Sequence, residues 1–529
     1  MKIDKTVAIV GKRVPAKQSK ALSARWAVIR SSRKGAKTRR ISMDVREIEA
    51  AACDAKKAGM QCVVVIGIGF VGTAVIANLA GITKRGKPLF FVVGLEKDNP
   101  EGAARVTRLN CGKSPIYVND QNLGQVIFSS WKEHRNIAAT CDPVVLPHAD
   151  YVVICINLDL IRTPGQPSDF VMPIDSYASV MRMVGRRIRP DTLVTIESTL
   201  PVGMCDKVLY PALCAGYAEQ GVDTHANPPL LAYCYERVMP GPGYLQSVSN
   251  HWRSFAGVNE ESNRQAEAFL GKYVNTKEYP LWRHKSTRAA EIGKLMENAY
   301  RATNIAFIEE WAKLAEDTGV DLFDVIASIR CRKGTHDNMM LPGLGVGGYC
   351  LTKDALLAAF GAEKLVGAPA ELPFSRRAIL TNEQMPLRAV EWIKAHFNGS
   401  LAGMNALLVG VTYRPGVADT RASPSEIVAR ALIDESCQVQ AYDRLIERWQ
   451  ELPDVTVHSD FDKAIKDKQI VVIALPDPGY RQQNLPQKIA ASVAPGGIVI
   501  DPWDLIGDQT AKELKDKQIA IRIYGRGDI

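Results

Sequence analysis

Short apolar runs alternate with longer stretches of helical periodicity along most of the chain. These runs are too short for helices and are typical of strands buried on both faces. Their alternation with helices indicates a parallel α/β sheet. In the first half we expect strands at 62–66, 89–95, 151–156 and 193–196, and helices at 42–59 (capped by Ser42), 73–80 and 177–187.

The pattern changes between residues 286 and 330. No proline occurs from Arg283 to Leu341, which predicts one long helix followed by a shorter one. A second α/β pattern begins near residue 401, with strands expected at 406–411, 439–442, 470–475 and 498–501 and a helix at 424–432. The long helix is expected to bridge two domains. Residues recur along it at spacings of three and four, namely Lys294, Asn298, Arg301, Ile305, Ile308, Trp311 and Ala315.

A glycine-rich turn follows the first expected strand. Gly67 permits a tight turn, Gly69 lets the backbone approach a pyrophosphate, and Gly72 lets the next helix pack on the strand. Glu96, at the end of the following strand, is expected to accept the ribose hydroxyls and to repel a 2′-phosphate, which favours NAD over NADP. The alternative is a tight turn without a ligand.

Two further segments carry polar groups suited to catalysis. The loop 197–203 follows a strand, where α/β sheets bind ligands, and its Thr199 hydroxyl can order a water or a ribose. Lys294 and Asn298 share a helix face with Arg301, and an ammonium beside an amide can stabilise an oxyanion. A plain loop and a solvated polar face remain the alternatives for these two segments.

The segment 341–354 carries one cysteine, Cys350, behind four glycines in six positions. Such a loop allows the backbone to crowd a ligand. Lys353 and Asp354 follow three and four residues later, so a cation can favour the thiolate and a carboxylate can manage protons. The alternative is a buried, inert cysteine.

These motifs, in this order, resemble the UDP-glucose/GDP-mannose dehydrogenase family over about residues 60–505. The segment Gly347 to Asp354 is the most specific part of the resemblance. The segments 289–302, 410–414 and 419–424 are similar to the central helix and the C-terminal nucleotide-binding signature of the family. The segment 236–241 and Arg301 are similar to its N-acetylhexosamine branch.

The resemblance implies an α/β fold with two Rossmann-like parallel-sheet domains joined by a long central helix and a helical dimerisation region. The implied divisions are a basic N-terminal extension (1–45), an NAD-binding domain (46–285), a central helical and catalytic domain (286–400) and a C-terminal UDP-sugar-binding domain (401–529). It also implies a homodimer, formed through the central helix.

The implied reaction is an NAD-dependent four-electron oxidation of the C6 alcohol of a nucleotide sugar to a uronic acid, for surface polysaccharide or glycoconjugate precursors. The aldehyde is held on Cys350 as a thiohemiacetal, oxidised to a thioester and hydrolysed. Lys294 and Asn298 stabilise oxyanions, Asp354 and Thr199 position water, and Glu236 is the candidate base. The implied cofactor residues are Gly67, Gly69, Phe70, Val71, Gly72, Glu96, Asn157, Thr199 and Arg421, and the implied substrate residues are Arg237, Val238, Lys294, Asn298, Arg301, His336, Gly347, Tyr413 and Arg414.

The sequence also departs from the family. Asn157 and Leu158 stand where a Thr-Pro pair is usual, Arg414 replaces a common Lys, and Trp503 lies in a segment that is usually small or basic. UDP-N-acetylglucosamine, UDP-N-acetylmannosamine, UDP-glucose and GDP-mannose all remain candidate substrates. A two-electron hydroxy-acid dehydrogenase and a non-catalytic nucleotide-sugar binder are the competing hypotheses.

Charge and cysteine content add two expectations. Of the net charge of +9, residues 1–45 carry +11, because they hold thirteen Lys/Arg against two acids, and the remainder carries −2. This basic arm contains one aromatic, Trp26, and resembles no nucleic-acid module, so a nucleic-acid partner is disfavoured but left open. Eleven scattered cysteines without a Cys-x-x-Cys pair indicate no metal site and fit a reduced, cytoplasmic protein, and we expect neither a membrane span nor a secretory signal.

Overall fold

The computed structural model describes residues 45–158, 160–162, 170–239 and 241–529. The basic extension up to residue 44, including the Ser42 cap, lies outside these residues. The helix expected over 42–59 is described as α1, Val45–Lys57. Its apolar side chains Ile48, Ala52 and Ala55 are buried, as the helical periodicity predicts.

The first sheet has eight strands in the order β8-β7-β6-β5-β4-β1-β2-β3. Neighbouring strands are parallel except β6 and β7. The order reverses beside β1, and the carboxyl ends of strands at such a point form a crevice for ligands. The strands are β1 (Gln61–Ile66), β2 (Phe90–Leu95), β3 (Ile137–Thr140), β4 (Tyr151–Ile154), β5 (Leu193–Ile196), β6 (Leu230–Tyr233), β7 (Ser254–Gly257) and β8 (Trp282–Arg283).

Both faces of this sheet are covered. Val64 and Ile66 of β1 belong to one hydrophobic cluster, while Val63 and Val65 belong to another. This explains why the strand is apolar throughout rather than alternating. The accompanying helices are Phe70–Gly81, Pro100–Leu109, Gln121–Ser129, Ile174–Gly185, Tyr210–Glu219, Gln246–Ser249 and Glu260–Leu270, with a 3-10 turn at Pro143–His148, π-helical turns at Ser130–His134 and Cys205–Leu209, and two ribbons, Thr83–Lys84 with Lys87–Pro88 and Ile161–Arg162 with Phe170–Val171.

The second sheet repeats the same design with six parallel strands in the order β11-β10-β9-β12-β13-β14. Its reversal lies beside β9, the first strand of the domain. The strands are β9 (Asn405–Val409), β10 (Gln438–Tyr442), β11 (Thr456–His458), β12 (Ile470–Ile473), β13 (Ile498–Asp501) and β14 (Ala520–Ile523), and the helices are Pro424–Asp434, Phe461–Ala464, Gly479–Gln482, Leu485–Ser492 and Gly507–Asp516.

A 32-residue helix, Thr287–Thr318, joins the two parts of the chain and is called the central helix below. The Ser286 hydroxyl caps its first turn and Gly319 ends it in a left-handed conformation. Among the residues at spacings of three and four, Ile308 is buried, whereas Arg301 and Trp311 are exposed. The remaining helices of this region are Leu322–Arg330, Asp354–Phe360 and Pro373–His396, with a π-helical turn at Gly361–Val366.

A buried arginine ties the central helix to its surroundings. Arg388, from the helix Pro373–His396, lies 2.6 Å from the carboxylates of both Glu309 and Glu316. Its guanidinium also stacks 4.0 Å from the ring centroid of Tyr524, just after β14. A planar guanidinium satisfies all three partners at once, so two long helices and the C-terminal sheet meet at one side chain.

Gly72 and Gly69, in the turn after β1, have different surroundings, so an added methyl group is expected to change the stability of the protein differently at each. A Cβ on Gly72 would lie 1.8 Å from the Gly67 carbonyl oxygen, whereas a Cβ on Gly69 would meet nothing within 4 Å. Gly72→Ala is expected to lower the free energy of unfolding by about 2 kcal/mol or more, through overpacking. Gly69→Ala should unfold at nearly the wild-type temperature. Thermal unfolding followed by circular dichroism tests the pair, and equal melting temperatures would contradict the assigned crowding.

Candidate active site

The glycine turn after β1 is shaped to receive a phosphate group. Gly67 has φ +95°, and a Cβ there would lie 2.9 Å from the Cys155 carbonyl oxygen. Gly69 faces open space and begins the helix Phe70–Gly81 without a side-chain cap. The first-turn N–H groups of this helix are therefore available to an anion, as the pyrophosphate of a dinucleotide requires.

Glu96 is fixed to this turn. Its Oε2 accepts the Ile68 N–H at 2.7 Å and its Oε1 accepts the Lys97 N–H at 3.0 Å. The guanidinium of Arg105, which the sequence reasoning did not single out, lies 3.4 Å from Oε2. The carboxylate thus stands at the end of β2 beside the glycine turn, the position that suits ribose hydroxyls.

Arg421 brings the C-terminal domain to the same turn. Its guanidinium forms a fork with the Asp419 carboxylate, at 2.7–3.2 Å, and lies 5.9 Å from the ring centroid of Phe70. This location, between the two sheets and beside the glycine turn, fits the expected cofactor contact. A guanidinium there is suited to phosphate oxygens.

Hydroxyl and amide groups line the carboxyl ends of the neighbouring strands β4 and β5. Asn157 follows β4 and is exposed, while Thr199 follows β5 and is half-buried. Between them Ser198 donates to the Ile156 carbonyl at 2.5 Å and accepts from the Tyr177 hydroxyl at 3.1 Å. The two expected cofactor residues are therefore held at adjacent strand ends in the crevice.

A buried carboxylate on the central helix clamps the loop that follows Thr199. Glu291 accepts the backbone N–H groups of Gly203 at 2.6 Å and Cys205 at 2.8 Å, one with each oxygen. Burial raises the pKa of Glu291 to about 7, against the opposing effect of these two donors. The sequence reasoning missed this residue, although its spacing of three from Lys294 places both on one helix face.

Lys294 is a buried ammonium next to Glu236. Its Nζ donates to the Glu236 backbone oxygen at 2.7 Å and lies 3.8 Å from the Glu236 carboxylate and 5.8 Å from the ring centroid of Tyr235. Burial disfavours the charge, but Glu236, and after it Cys350 and Asp354, outweigh that effect, and the pKa of Lys294 is raised. The site therefore holds a fixed positive charge.

Asp354 joins Asn298 to the segment 341–354, which contains Cys350 and is called the cysteine segment below. The Asn298 amide donates to Asp354 Oδ2 at 2.6 Å, and Lys353 Nζ lies 3.1 Å from Oδ1. The Cys350 carbonyl accepts the N–H groups of Lys353 at 3.2 Å and Asp354 at 3.1 Å, which forms the turn into the helix Asp354–Phe360. The cysteine is thus presented one turn before a buried carboxylate.

The two expected lysine cations favour the Cys350 thiolate, but other effects on this thiol are larger. The residue is open to solvent, but crowding by the surrounding protein and the negative charge of Asp354 raise the pKa of its thiol to about 11. Lys294 and Lys353 act in the opposite direction and do not compensate. A reaction at the Cys350 sulfur would therefore need a proton acceptor.

The glycines before Cys350 lie in close contact with other parts of the chain. A Cβ on Gly343 would lie 2.3 Å from the Trp503 ring, and one on Gly347 would lie 2.7 Å from Tyr413. Gly348, at φ +83°, would bring its Cβ within 2.9 Å of the same Tyr413 ring. The loop is consequently packed tightly against the C-terminal domain.

The expected substrate residues divide into two groups. Tyr413 lies against Gly347 and Gly348 of the loop before Cys350, and burial together with the charges of Asp419 and Cys350 raises its pKa to about 12. Arg237 is instead engaged by the Glu297 carboxylate at 2.9–3.0 Å and by the Trp252 carbonyl. No described contact joins the remaining expected residues to Cys350; they are Val238, whose N–H bonds Glu236, the exposed Arg301 and Arg414, and His336, which bonds Thr335 at 2.9 Å.

Three family models match this chain, and each describes one part of the UDP-glucose/GDP-mannose dehydrogenase family. The NAD binding domain matches residues 61–272, the central domain 288–383 and the UDP binding domain 407–508. The chain belongs to this family. It is an NAD-dependent nucleotide-sugar dehydrogenase, an oxidoreductase that acts on a CH–OH group of a sugar.

Relatives with assigned names agree with this placement. The UDP-N-acetyl-D-mannosamine dehydrogenase of Methanocaldococcus jannaschii is 30% identical over 381 residues, which are 72% of this chain and 80% of that protein. The UDP-glucose 6-dehydrogenase of Rickettsia conorii is 25% identical over 86% of this chain and 99% of its own length. Among solved structures, the UDP-D-ManNAc dehydrogenase of Pyrococcus horikoshii, 24% identical, superposes with a TM-score of 0.72 over 89% of this chain and all of that one, which shows the shared fold.

Among the helices of the described residues, none is long and apolar enough to cross a membrane.

The raised pKa of Glu291 predicts that the free energy of unfolding depends on pH. Its pKa is about 7 when folded and 4.5 in its unperturbed state, so between these values the folded protein keeps a proton that the unfolded chain has lost. Raising the pH from 4.5 through 7 should therefore remove up to about 3 kcal/mol of its contribution to the free energy of unfolding. Urea unfolding of wild type and Glu291→Gln at pH 5 and pH 7.5 measures this. Wild type should lose more stability than the variant over this interval, and identical pH dependence in both would contradict the assignment.

Proposed function

We propose that this dehydrogenase oxidises the C6 alcohol of a UDP-sugar to a carboxylate in two steps at Cys350. The observation that carries this proposal is the placement of an accessible thiol beside a buried ammonium and a buried carboxylate, those of Lys294 and Asp354, and the half-buried amide of Asn298. A hydroxy-acid dehydrogenase, which transfers two electrons, has no use for the thiol. NAD, when bound, accepts a hydride in each of the two oxidations.

The residues of the site account for the remaining events. The first oxidation leaves an aldehyde, and the Cys350 sulfur bonds its carbon while the thiol proton leaves, for which the Asp354 carboxylate is a candidate acceptor. Lys294 and Asn298 stabilise the oxygen that becomes negative. The second oxidation converts the thiohemiacetal to a thioester.

Hydrolysis completes the reaction. Water positioned by Thr199 and Asp354 attacks the thioester with Glu236 as base, the C–S bond breaks, and the thiol is regenerated. The sum is one alcohol, two NAD⁺ and one water converted to one carboxylate, two NADH and three protons. The buried Lys294–Glu236 contact supports these roles, because the carboxylate lies 3.8 Å from the ammonium that would face the same carbonyl.

The stoichiometry tests the mechanism. Wild-type protein should form two NADH per nucleotide sugar consumed, measured by absorbance and by mass analysis of the acid. Cys350→Ala should lose acid formation by at least about a thousandfold, because no covalent adduct forms. Cys331→Ala, which removes another exposed thiol, is the matched control and should retain activity. One NADH per substrate, or acid formation by the Cys350 variant, would refute the mechanism.

Within the substrate class we favour a UDP-linked N-acetylated hexosamine. The segment 236–241 has the form of that branch, and several similar proteins are named UDP-N-acetyl-D-mannosamine dehydrogenases. The assay above, run with UDP-N-acetylmannosamine, UDP-N-acetylglucosamine, UDP-glucose and GDP-mannose, decides between them. The acid would serve as a precursor for polysaccharide or glycoconjugate synthesis.

We also propose that two copies associate through the central helix. Its outer surface carries an exposed apolar stripe at helical spacing, formed by Ile292, Met296, Tyr300, Phe307, Trp311 and Leu314, which are 47–66% exposed. A stripe this continuous is typical of a partner surface.

All eleven cysteines lie in the described part of the chain as free thiols, which supports a reducing, cytoplasmic location.

A charge placed in the stripe tests the dimer. Met296→Glu should shift the protein from dimer to monomer in sedimentation analysis, because a carboxylate would be desolvated at the contact. Tyr117, which is 59% exposed and lies outside the stripe, provides the control, and Tyr117→Glu should leave the dimer intact. A dimer that survives Met296→Glu and Trp311→Glu together would exclude this surface.

A further inference from the structure

A cysteine, a histidine and a glutamate meet in the first domain outside the site described above. Glu49 and Cys53 are one turn apart on α1 and so share a face, and His148 ends the 3-10 turn Pro143–His148. The Cys53 sulfur lies 3.8 Å from His148 Nδ1, within hydrogen-bond distance for sulfur. His148 Nε2 lies 3.5 Å from Glu49 Oε1.

The two partners contact opposite nitrogens of the same ring. A single metal ion cannot be bound by all three side chains in this arrangement, because the two ring nitrogens point away from each other. The order is thiol, imidazole, carboxylate. This is the order in which a base takes the proton of a nucleophile while an acidic group holds the ring in its orientation.

We propose that Cys53 is a reactive thiol, activated by His148 and Glu49, that is oxidised by hydroperoxides. His148 Nδ1 accepts the thiol proton, and the sulfur attacks the nearer peroxide oxygen. An S–O bond forms and the O–O bond breaks, so the cysteine is oxidised to a sulfenic acid and the peroxide is reduced. The alcohol or water that leaves takes up the proton held on His148.

The surroundings keep these groups in place and accessible. Cys53 is exposed, and the side chains of His148 and Glu49 are 25% and 33% exposed, so a small peroxide can reach the sulfur. Ile48 and Ala52 anchor α1 in the core. The chain after His148 is held by the Ala149 N–H, which donates to Leu146, and by the Ala149 carbonyl, which accepts the Thr192 hydroxyl at 2.9 Å.

The neighbouring charges are largely paired with each other. Lys57 bonds Asp54 at 3.0 Å, and Asp150 is shared by Lys56 at 3.1 Å and Arg189 at 2.9 Å. His148 is therefore the base in contact with the sulfur. Glu49 and Cys53 precede the matched NAD binding domain, which begins at residue 61, whereas His148 lies within it. The arrangement is therefore formed between α1 and the first matched domain.

The test compares two exposed thiols in the same molecule. In the described part of the chain, the Cys331 thiol donates to the Ala327 carbonyl of the preceding helix at 3.5 Å, and Cys331 serves as the internal reference. The full chain is treated with hydrogen peroxide and a carbon-acid trap for sulfenic acid, and labelling at each cysteine is followed by peptide mass spectrometry. Cys53 should label about ten times faster than Cys331.

Variants separate activation from simple exposure. His148→Asn should lower the Cys53 rate to that of Cys331, Glu49→Gln should lower it about threefold, and Cys331 labelling should not change in either. Cys53→Ser should lose the label at position 53 and keep wild-type NADH formation. Equal rates at the two cysteines in wild type, or an unchanged Cys53 rate in His148→Asn, would overturn the proposal. The Glu49→Gln variant keeps the imidazole of His148. If Cys53 labels more slowly in this variant while its melting temperature is unchanged, the slower labelling cannot come from misfolding of α1.

Discussion

The charged groups buried on one side of the central helix impose the strongest constraint on this structure. Glu291 and Lys294 are almost fully removed from water, and an ionised side chain left unpaired there would cost several kcal/mol. Each is satisfied by a different loop, Glu291 by the N–H groups after β5 and Lys294 by the carbonyl after β6. Asn298, one turn later, bonds Asp354 of the cysteine segment. The helix therefore contacts three loops, and the groups proposed for catalysis meet because the buried polar groups must be satisfied.

The same principle sets the arrangement of the two sheets. Arg388 satisfies two carboxylates of the central helix and stacks on Tyr524 beyond the last strand. A guanidinium with this many partners fixes direction as well as distance, because its donors lie in one plane. The helix is thus anchored at its later turns by one buried cation and at its early turns by another. The cleft between the two domains runs along the part of the central helix that separates these two buried cations.

Much of this could be predicted from the sequence, for physical reasons. Strands such as β5 and β13 were expected at their observed bounds, because a strand buried on both faces must be apolar throughout. The pairs Lys294 with Asn298 and Cys350 with Asp354 also follow from motif spacing, because the two members of each pair are one turn apart in the chain. The roles of these residues are implied by the family resemblance, and the structure adds their hydrogen-bond and ion-pair partners.

What could not be predicted has a different cause. Spacing of three and four does not separate the buried Ile308 from the exposed Arg301 and Trp311, because two adjacent faces of a long helix share this spacing. The pKa of Cys350 depends on Asp354 and on crowding by the surrounding protein. The partner of Arg237, the Glu297 carboxylate, lies sixty residues away. Spacing places Glu291 on the helix face of Lys294, but the loop that Glu291 binds lies 88 residues before it, and contacts of this range leave no local pattern.

The tight fit of Gly343, Gly347 and Gly348 against Trp503 and Tyr413 has a consequence for exchanging parts between related enzymes. A chimera that takes its C-terminal domain from a relative, in order to accept a different nucleotide, would bring new side chains to this contact. A smaller group at 413 or 503 would leave a void behind the loop that carries Cys350, and a bulkier one would displace this loop. The C-terminal domain therefore affects both the nucleotide preference and the position of the Cys350 sulfur. A chimera with a different C-terminal domain must keep the aromatic rings of Tyr413 and Trp503.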